Sequence, residues 1–217
     1  VSERLPSVDD LERVSLAIAA LDCVLSPEWD QRKYSFDPAW GDGERMASMR
    51  DGFGNVYQIV FGPDGTVVRG FDHESELSPY RGRSLAPGLL DGFPDVLRPV
   101  VDEPAFNGSE EFADLTFCAW RLDGDVAWSA GPVEDLGGSA ERLFDVVLDA
   151  TPDGYRRFAA DYYEEELSLD VLRPFYELRP ADALLVLALS GEADVAATLA
   201  ELRETGYPTS EDSAVSS

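Results

Sequence analysis

The chain has 217 residues, with 43 acidic against 17 basic groups and a formal net charge of −26. Apolar residues make up 44% and aromatic residues 11%, too apolar a mixture for a disordered chain despite the charge. The longest apolar run, Ala183–Leu189, is too short to cross a bilayer, and the acidity argues against a nucleic-acid binder that works through phosphate contacts.

This length suits one α+β domain. The opening stretch VSERLPSVDD lacks the basic-then-apolar pattern of a secretion signal, so cytoplasmic residence is expected. Of the basic residues only Lys33 is a lysine. Arginine codons of a GC-rich genome explain that bias more simply than adaptation to a saline cytoplasm. Such a surface repels anionic partners and steers a basic protein into contact. Cys23 and Cys118 sit in apolar surroundings, DCVL and LTFCAW, and read as buried free thiols. With no CxxC pair and a single histidine, a structural zinc site is not expected.

Ser7 is an N-cap with Asp10 three residues on. Leu11, Val14, Ile18, Leu21 and Leu25 then follow at helical spacing, which predicts a helix from about Val8 to Leu25, ending before Pro27. From Lys33 the period changes. The segments 44–51, 55–61 and 66–71 carry strand character, joined by the turn-rich DGFGN and GPDG. They predict an antiparallel meander, begun by Tyr34-Ser35-Phe36. Residues 73–92, containing HESELSPYRGRSLAPG, read as a long loop, and a loop of that length often carries function. A short helix is predicted from Phe93 to Val101, with Pro94 in its first turn.

A second hairpin, Ala113 to Leu122 and Asp125 to Ala130 around Asp123-Gly124, is predicted to join the same sheet. From Ser139 onward the pattern is helical. Thr151-Pro152 and Ser168 mark helix starts, and Pro174 should kink the helix it lies in. A third helix, Ala181 to Leu189, is expected to be the most buried, and a last one spans Glu192 to Glu204, closed by Gly206 and Pro208. The expectation is a single α+β domain over residues 1–217: sheet-rich over about 8–135, helical over about 139–206, with a disordered tail at 209–217.

Chemistry centres on His73, the only histidine, in Gly70-Phe71-Asp72-His73-Glu74-Ser75. A histidine between carboxylates can act as a general base, with Ser75 or Ser78 as nucleophile. Neighbours on an extended segment point in opposite directions, however, and a histidine that ties the loop in place is the favoured reading. Arg81 and Arg83 are candidate anion-binding residues. Asp72, Glu74 and Glu76 would share one face of an extended strand, an oxygen-rich set for a hard cation, but no EF-hand pattern is present and no metal site is assigned. Neither GxGxxG nor GxxxxGK[ST] occurs, GxSxG is missing too, and no cofactor is assigned. Tyr155, Phe158, Tyr162, Tyr163, Phe175 and Tyr176 read as helix–helix core, the alternative being tyrosine tips exposed at a partner groove. Trp40 is a candidate partner anchor, or a lid over the sheet edge.

The segments YSFDPAW, RMASMRDGFGNVYQIVF and GTVVRGFDHESELSP, with the later FPDVLRPVVDEPAF, FAADYY and GYP, resemble a family of uncharacterised bacterial proteins. The resemblance covers most of residues 34–208. It implies a cytosolic bacterial protein and brings no activity, cofactor or catalytic residue with it. Two functions compete. One is a binding module, for instance an immunity-type inhibitor of a basic partner, with neither nucleic acid nor membrane as target. The other is a small hydrolase with Asp72, His73, Glu74 and Ser78 in the loop 72–83. Convergence of His73 and Arg81 in one pocket would favour the enzyme. Oligomeric state is left open.

Overall fold

The computed structural model describes residues 1–134 and 137–210. The fold is α+β, with an N-terminal helix, a six-stranded antiparallel meander and C-terminal helices. The strands are β1 (Tyr34–Gly41), β2 (Glu44–Arg50), β3 (Val56–Gly62), β4 (Gly65–Phe71), β5 (Phe117–Leu122) and β6 (Ser129–Ala130), and they neighbour one another in chain order. The helices are α1 (Val8–Leu25), α2 (Pro79–Gly82), α3 (Arg98–Asp102), α4 (Ser139–Leu143), α5 (Asp145–Asp149), α6 (Pro152–Tyr162), α7 (Leu169–Tyr176), α8 (Ala183–Leu189) and α9 (Val195–Glu204). They fall into two compact units, Val1–Leu5 with Ala39–Leu148, and Pro6–Pro38 with Asp149–Ser217. The N-terminal helix therefore belongs with the C-terminal helices and not with the sheet-rich part.

In the first unit the register separates two faces. Tyr57, Ile59 and Phe61 share a face with their β4 partners Gly70, Val68 and Thr66, and with Phe117 and Ala119 of β5. Phe144 covers this face, stacking on Tyr57 at 4.8 Å and lying 5.3 Å from Phe117. Gly70 leaves room for it: a Cβ there would come within 3.1 Å of Leu143 and Phe144. On the opposite face Val67, Cys118 and Trp120 pack with Leu89, Phe93, Leu97, Val101 and Leu115. The segment following β4 is thus the second cover of the sheet, and β4 is buried along its whole length.

Several boundaries differ from the sequence pattern. The β6 strand is only two residues long, pairing Ser129 with Trp120 and Ala130 with Ala119, and Val126 is fully exposed. An edge segment rich in Asp and Gly has little to bury and leaves the ladder early. The helix predicted from Phe93 begins as a single 3-10 turn at Asp95–Leu97 and becomes α3 only at Arg98. The 73–92 loop carries α2, opened by Pro79.

In the second unit α1 is the central element. Eleven of its 18 residues are buried, and α7, α8 and α9 pack against it. Its predicted cap is present: the Asp10 amide donates to Ser7 Oγ at 3.2 Å. Thr151, Ser168, Asp182 and Asp194 cap α6, α7, α8 and α9 in the same way. Pro174 is tolerated within α7. α8 starts at Ala183 and is not the most buried helix, because Leu184 and Leu187 face outward, 78% and 42% exposed. A seven-residue helix covered from one side buries only the stripe that meets its neighbours. Thr209 and Ser210, assigned to a disordered tail by composition, are ordered: Thr209 is buried and bridges Ala181, and the Ser210 amide donates to the Ala181 carbonyl at 2.9 Å, while 211–217 lie outside the described residues.

Candidate functional site

The chain leaves β4 at Phe71 and turns at once. The Ser75 amide donates to the Asp72 carbonyl at 3.1 Å, and the Ser78 amide to the Ser75 carbonyl at 3.0 Å. These turns cancel the extended geometry that would align Asp72, Glu74 and Glu76 as cation ligands. Among the described residues no group of three or more His, Cys, Asp or Glu side chains is arranged to hold a metal ion.

Asp72 is buried and organises the turn. Its Oδ1 accepts the Glu74 amide at 2.9 Å, its Oδ2 lies 3.4 Å from Arg142 Nη2, and its own amide donates to Thr116 Oγ1 at 3.0 Å. Burial works to raise its pKa, but the Ser139 hydroxyl, the Glu74 amide and the charges of Arg142 and His73 together hold the carboxyl below its ordinary value. It is a stable carboxylate with structural partners.

His73 is exposed, and both its amide and its ring Nδ1 contact Asn55 Oδ1, at 3.1 and 2.9 Å. Asn55 Nδ2 in turn donates to Asp51 Oδ2 at 2.7 Å, and Asp51 Oδ1 accepts the amides of Phe53 and Asn55. With the Asn55 oxygen fixed as acceptor, the His73 Nδ1–H is the donor in this bond. The histidine therefore ties the end of β4 to the β2–β3 turn. Its bonds lead away from the serines: Ser75 Oγ accepts the Leu77 amide at 3.2 Å, and Ser78 is buried within the loop.

Arg81 is folded back on the same loop, Nε to the Ser75 carbonyl at 3.1 Å and Nη2 to the Glu74 carbonyl at 3.0 Å. Arg83 pairs with Glu111 at 2.6 Å on the open surface, an arrangement that contributes little to stability. Beside the loop is a cavity of about 240 Å³ whose wall includes Glu74, Ser75, Glu76, Glu134, Ser139 and Arg142. Neither His73 nor Arg81 is among the described residues that line it. Trp40 is half-buried and stacks on Phe106 at 5.3 Å, so it covers an edge of the first unit.

Three groups escaped the sequence reading. Arg69 on β4 is buried, and its Nη2 donates to Asn107 Oδ1 at 2.9 Å and to the Asp114 carbonyl at 2.8 Å. The carbonyls of Val101 and Phe106 stand 3.4 Å from its Nη1 and Nη2, and the guanidinium lies over the Phe106 ring. Burial lowers its pKa to about 10, so it stays charged at neutral pH. Asp22, in the last turn of α1, accepts the amides of Lys33 and Tyr34 at 2.9 and 2.7 Å and the Tyr155 hydroxyl at 2.6 Å. Burial outweighs those bonds and raises its pKa to about 6. Both positions were visible as charges at apolar phase, Arg69 two residues after Val67 and Asp22 four after Ile18. The third is an aromatic cage in the second unit. Lys33 Nζ stands 4.9 Å from the Phe158 ring centroid, 5.6 Å from Tyr162 and 5.8 Å from Tyr34.

The aromatic residues read as helix–helix core are divided accordingly. Tyr155, Phe175 and Tyr176 are buried, whereas Tyr162 is 41% exposed. Cys23 and Cys118 are free and buried, and burial raises both thiols to about 12, so neither is a nucleophile at neutral pH. No helix among the described residues is long and apolar enough to cross a membrane. No protein-family model matches the chain, and neither a curated protein nor a solved structure matches it.

Proposed function

We propose that this is a cytoplasmic bacterial binding module that holds a basic protein partner through its acidic surface, an immunity-type inhibitor being the concrete form. It would belong with the bacterial family that its GFDHES segment resembles. The observation that carries the reading is the distribution of charge. Each unit is acidic by itself, with 21 acidic against 9 basic residues in the first and 22 against 8 in the second. A field of one sign over both units favours fast, salt-sensitive association with a basic surface. The arginines of the 72–83 loop are committed to the loop carbonyls and to Glu111, which fits a scaffold better than an anion-binding active site. Capture from host lysate at low and high salt tests this. One dominant basic partner, released at high salt and retained equally by His73→Ala, is the expected result, and a partner kept at high salt would sink the electrostatic reading.

A second reading, a small hydrolase, draws on the Asn55-oriented ring of His73 and the cavity beside the loop. Ester and phosphoester screens test it, and any turnover that survives His73→Ala would remove it.

A further inference from the structure

Resting on the proposal of a basic partner, we infer that the aromatic cage of Tyr34, Phe158 and Tyr162 is where a partner's arginine or lysine side chain docks, with Lys33 as an internal stand-in that it displaces. The chain has 43 carboxylates and one lysine, yet among the described residues the Lys33 ammonium makes no ion pair and sits against three ring faces. Ring faces attract cations within about 6 Å of the centroid, and all three distances meet that limit. The cage therefore already selects a cation of the kind the partner would bring.

The rim of the cage is reachable, with Tyr34 buried at its base. Tyr162 is 41% exposed at the end of α6, and Lys33 is only half-buried. The Tyr162 hydroxyl donates to the Gln31 carbonyl at 3.4 Å, which joins α6 to the short turn Trp29–Gln31. Trp29 in that turn is 61% exposed. Exposed Trp and Tyr side by side with a cation site are the composition of interface hot spots. The flanks are acidic: Glu28 and Asp30 precede Lys33, Asp161 precedes Tyr162, and Glu164, Glu165 and Glu166 follow it, none ion-paired among the described residues. An oligo-basic segment would place one side chain in the cage and others over these carboxylates. Lys33, tethered by its backbone amide to Asp22, competes for the same rings at high local concentration and sets the affinity.

The test titrates a hexa-arginine peptide into the full-length protein by calorimetry and maps it by amide chemical shifts. Tyr162→Ala should weaken binding about fivefold or more. Lys33→Ala should tighten it by more than Arg83→Ala, which makes the same change of charge in the other unit. Shifts in the wild type should centre on Lys33, Tyr34 and Tyr162. Equal affinities for wild type, Tyr162→Ala and Lys33→Ala, or shifts centred elsewhere, would overturn the cage as docking site while leaving the basic-partner reading intact. Failure of the peptide to bind both wild type and Lys33→Ala would overturn it as well. The broader reading falls on different data, a lysate capture without any salt-sensitive basic partner.

Discussion

Each unit contains one nearly inaccessible charged group held mainly by neutral dipoles, Arg69 in the first and Asp22 in the second. In the first, Arg69 is surrounded by carbonyl oxygens of the segment that covers the sheet, at 2.8 to 3.4 Å. In the second, Asp22 is surrounded by donors, two backbone amides and the Tyr155 hydroxyl. The outcomes differ because the ordinary pKa values differ. Burial takes Arg69 down to about 10, still far above neutrality, but takes Asp22 up to about 6, close to it. Arg69 is therefore a permanent clamp between β4 and the 100–114 segment. Asp22 is a junction whose charge depends on pH.

The largest expected effect comes from removing the clamp. Arg69→Met leaves the Asp114 and Phe106 carbonyls without its guanidinium as donor and removes the second donor to Asn107 Oδ1, at a cost of about 3–5 kcal/mol. A thermal midpoint within a degree or two of wild type would show that the segment closes over the sheet without Arg69. The pH dependence comes next, and its sign is opposite to that of a paired carboxylate. Because the folded-state pKa of Asp22 is raised to about 6, the folded state binds more protons than the unfolded one between about pH 4 and 6. Its contribution is therefore favourable at the acidic end and lost as pH rises through that window, a fall of about 3 kcal/mol that is complete above it. Urea unfolding of wild type and Asp22→Asn across this range checks it, and the variant should lose that component of the slope. Asp72, whose pKa is lowered, has the opposite dependence: its contribution is lost as pH falls below the ordinary carboxyl range.

Tyr155→Phe removes a hydrogen bond to a buried carboxylate and should cost about 1.5–3 kcal/mol. It should also move the Asp22 transition to higher pH, which distinguishes a lost hydrogen bond from lost packing. His73→Ala removes an exposed tie to Asn55 and should cost about 1 kcal/mol or less, read as a small drop in Tm. The smallest effect is expected at Leu184→Glu on the outward face of α8, within about 0.5 kcal/mol by chemical denaturation.

Much of the fold was legible because its signals are local. Ser7, Thr151 and Ser168 are capping residues followed by helical apolar spacing, and the corresponding helices begin there. Alternation over 55–61 and the turns at both ends define β3 and its neighbours within one residue. The misses occur where local patterns compete with surroundings. The DVAWSA segment is rich enough in β-formers to read as a strand, but only its last two residues join the β5 ladder. The apolar run of α8 is uniform in sequence, and only its neighbours decide that Leu185, Val186 and Leu189 are inside while Leu184 and Leu187 are not. At the candidate site the sequence singled out the 72–83 loop and His73, whose ring and amide meet Asn55 in the structure. It did not show that Arg81 turns inward on carbonyls six and seven residues away in chain numbering, because that choice depends on the α2 turn.

The sequence by itself determined the α+β class, the helix starts, the meander and the acidic character of both halves, since capping, periodicity and charge act over a few residues or need no geometry. Tertiary structure alone decided that α1 joins the helices 120 and more residues downstream, that carbonyls gather around Arg69 and hydrogen-bond donors around Asp22, and that the only lysine enters a cage of aromatic rings. Those outcomes depend on which groups distant in the chain share a buried volume, where desolvation makes each unpaired dipole or charge costly enough to select its partner.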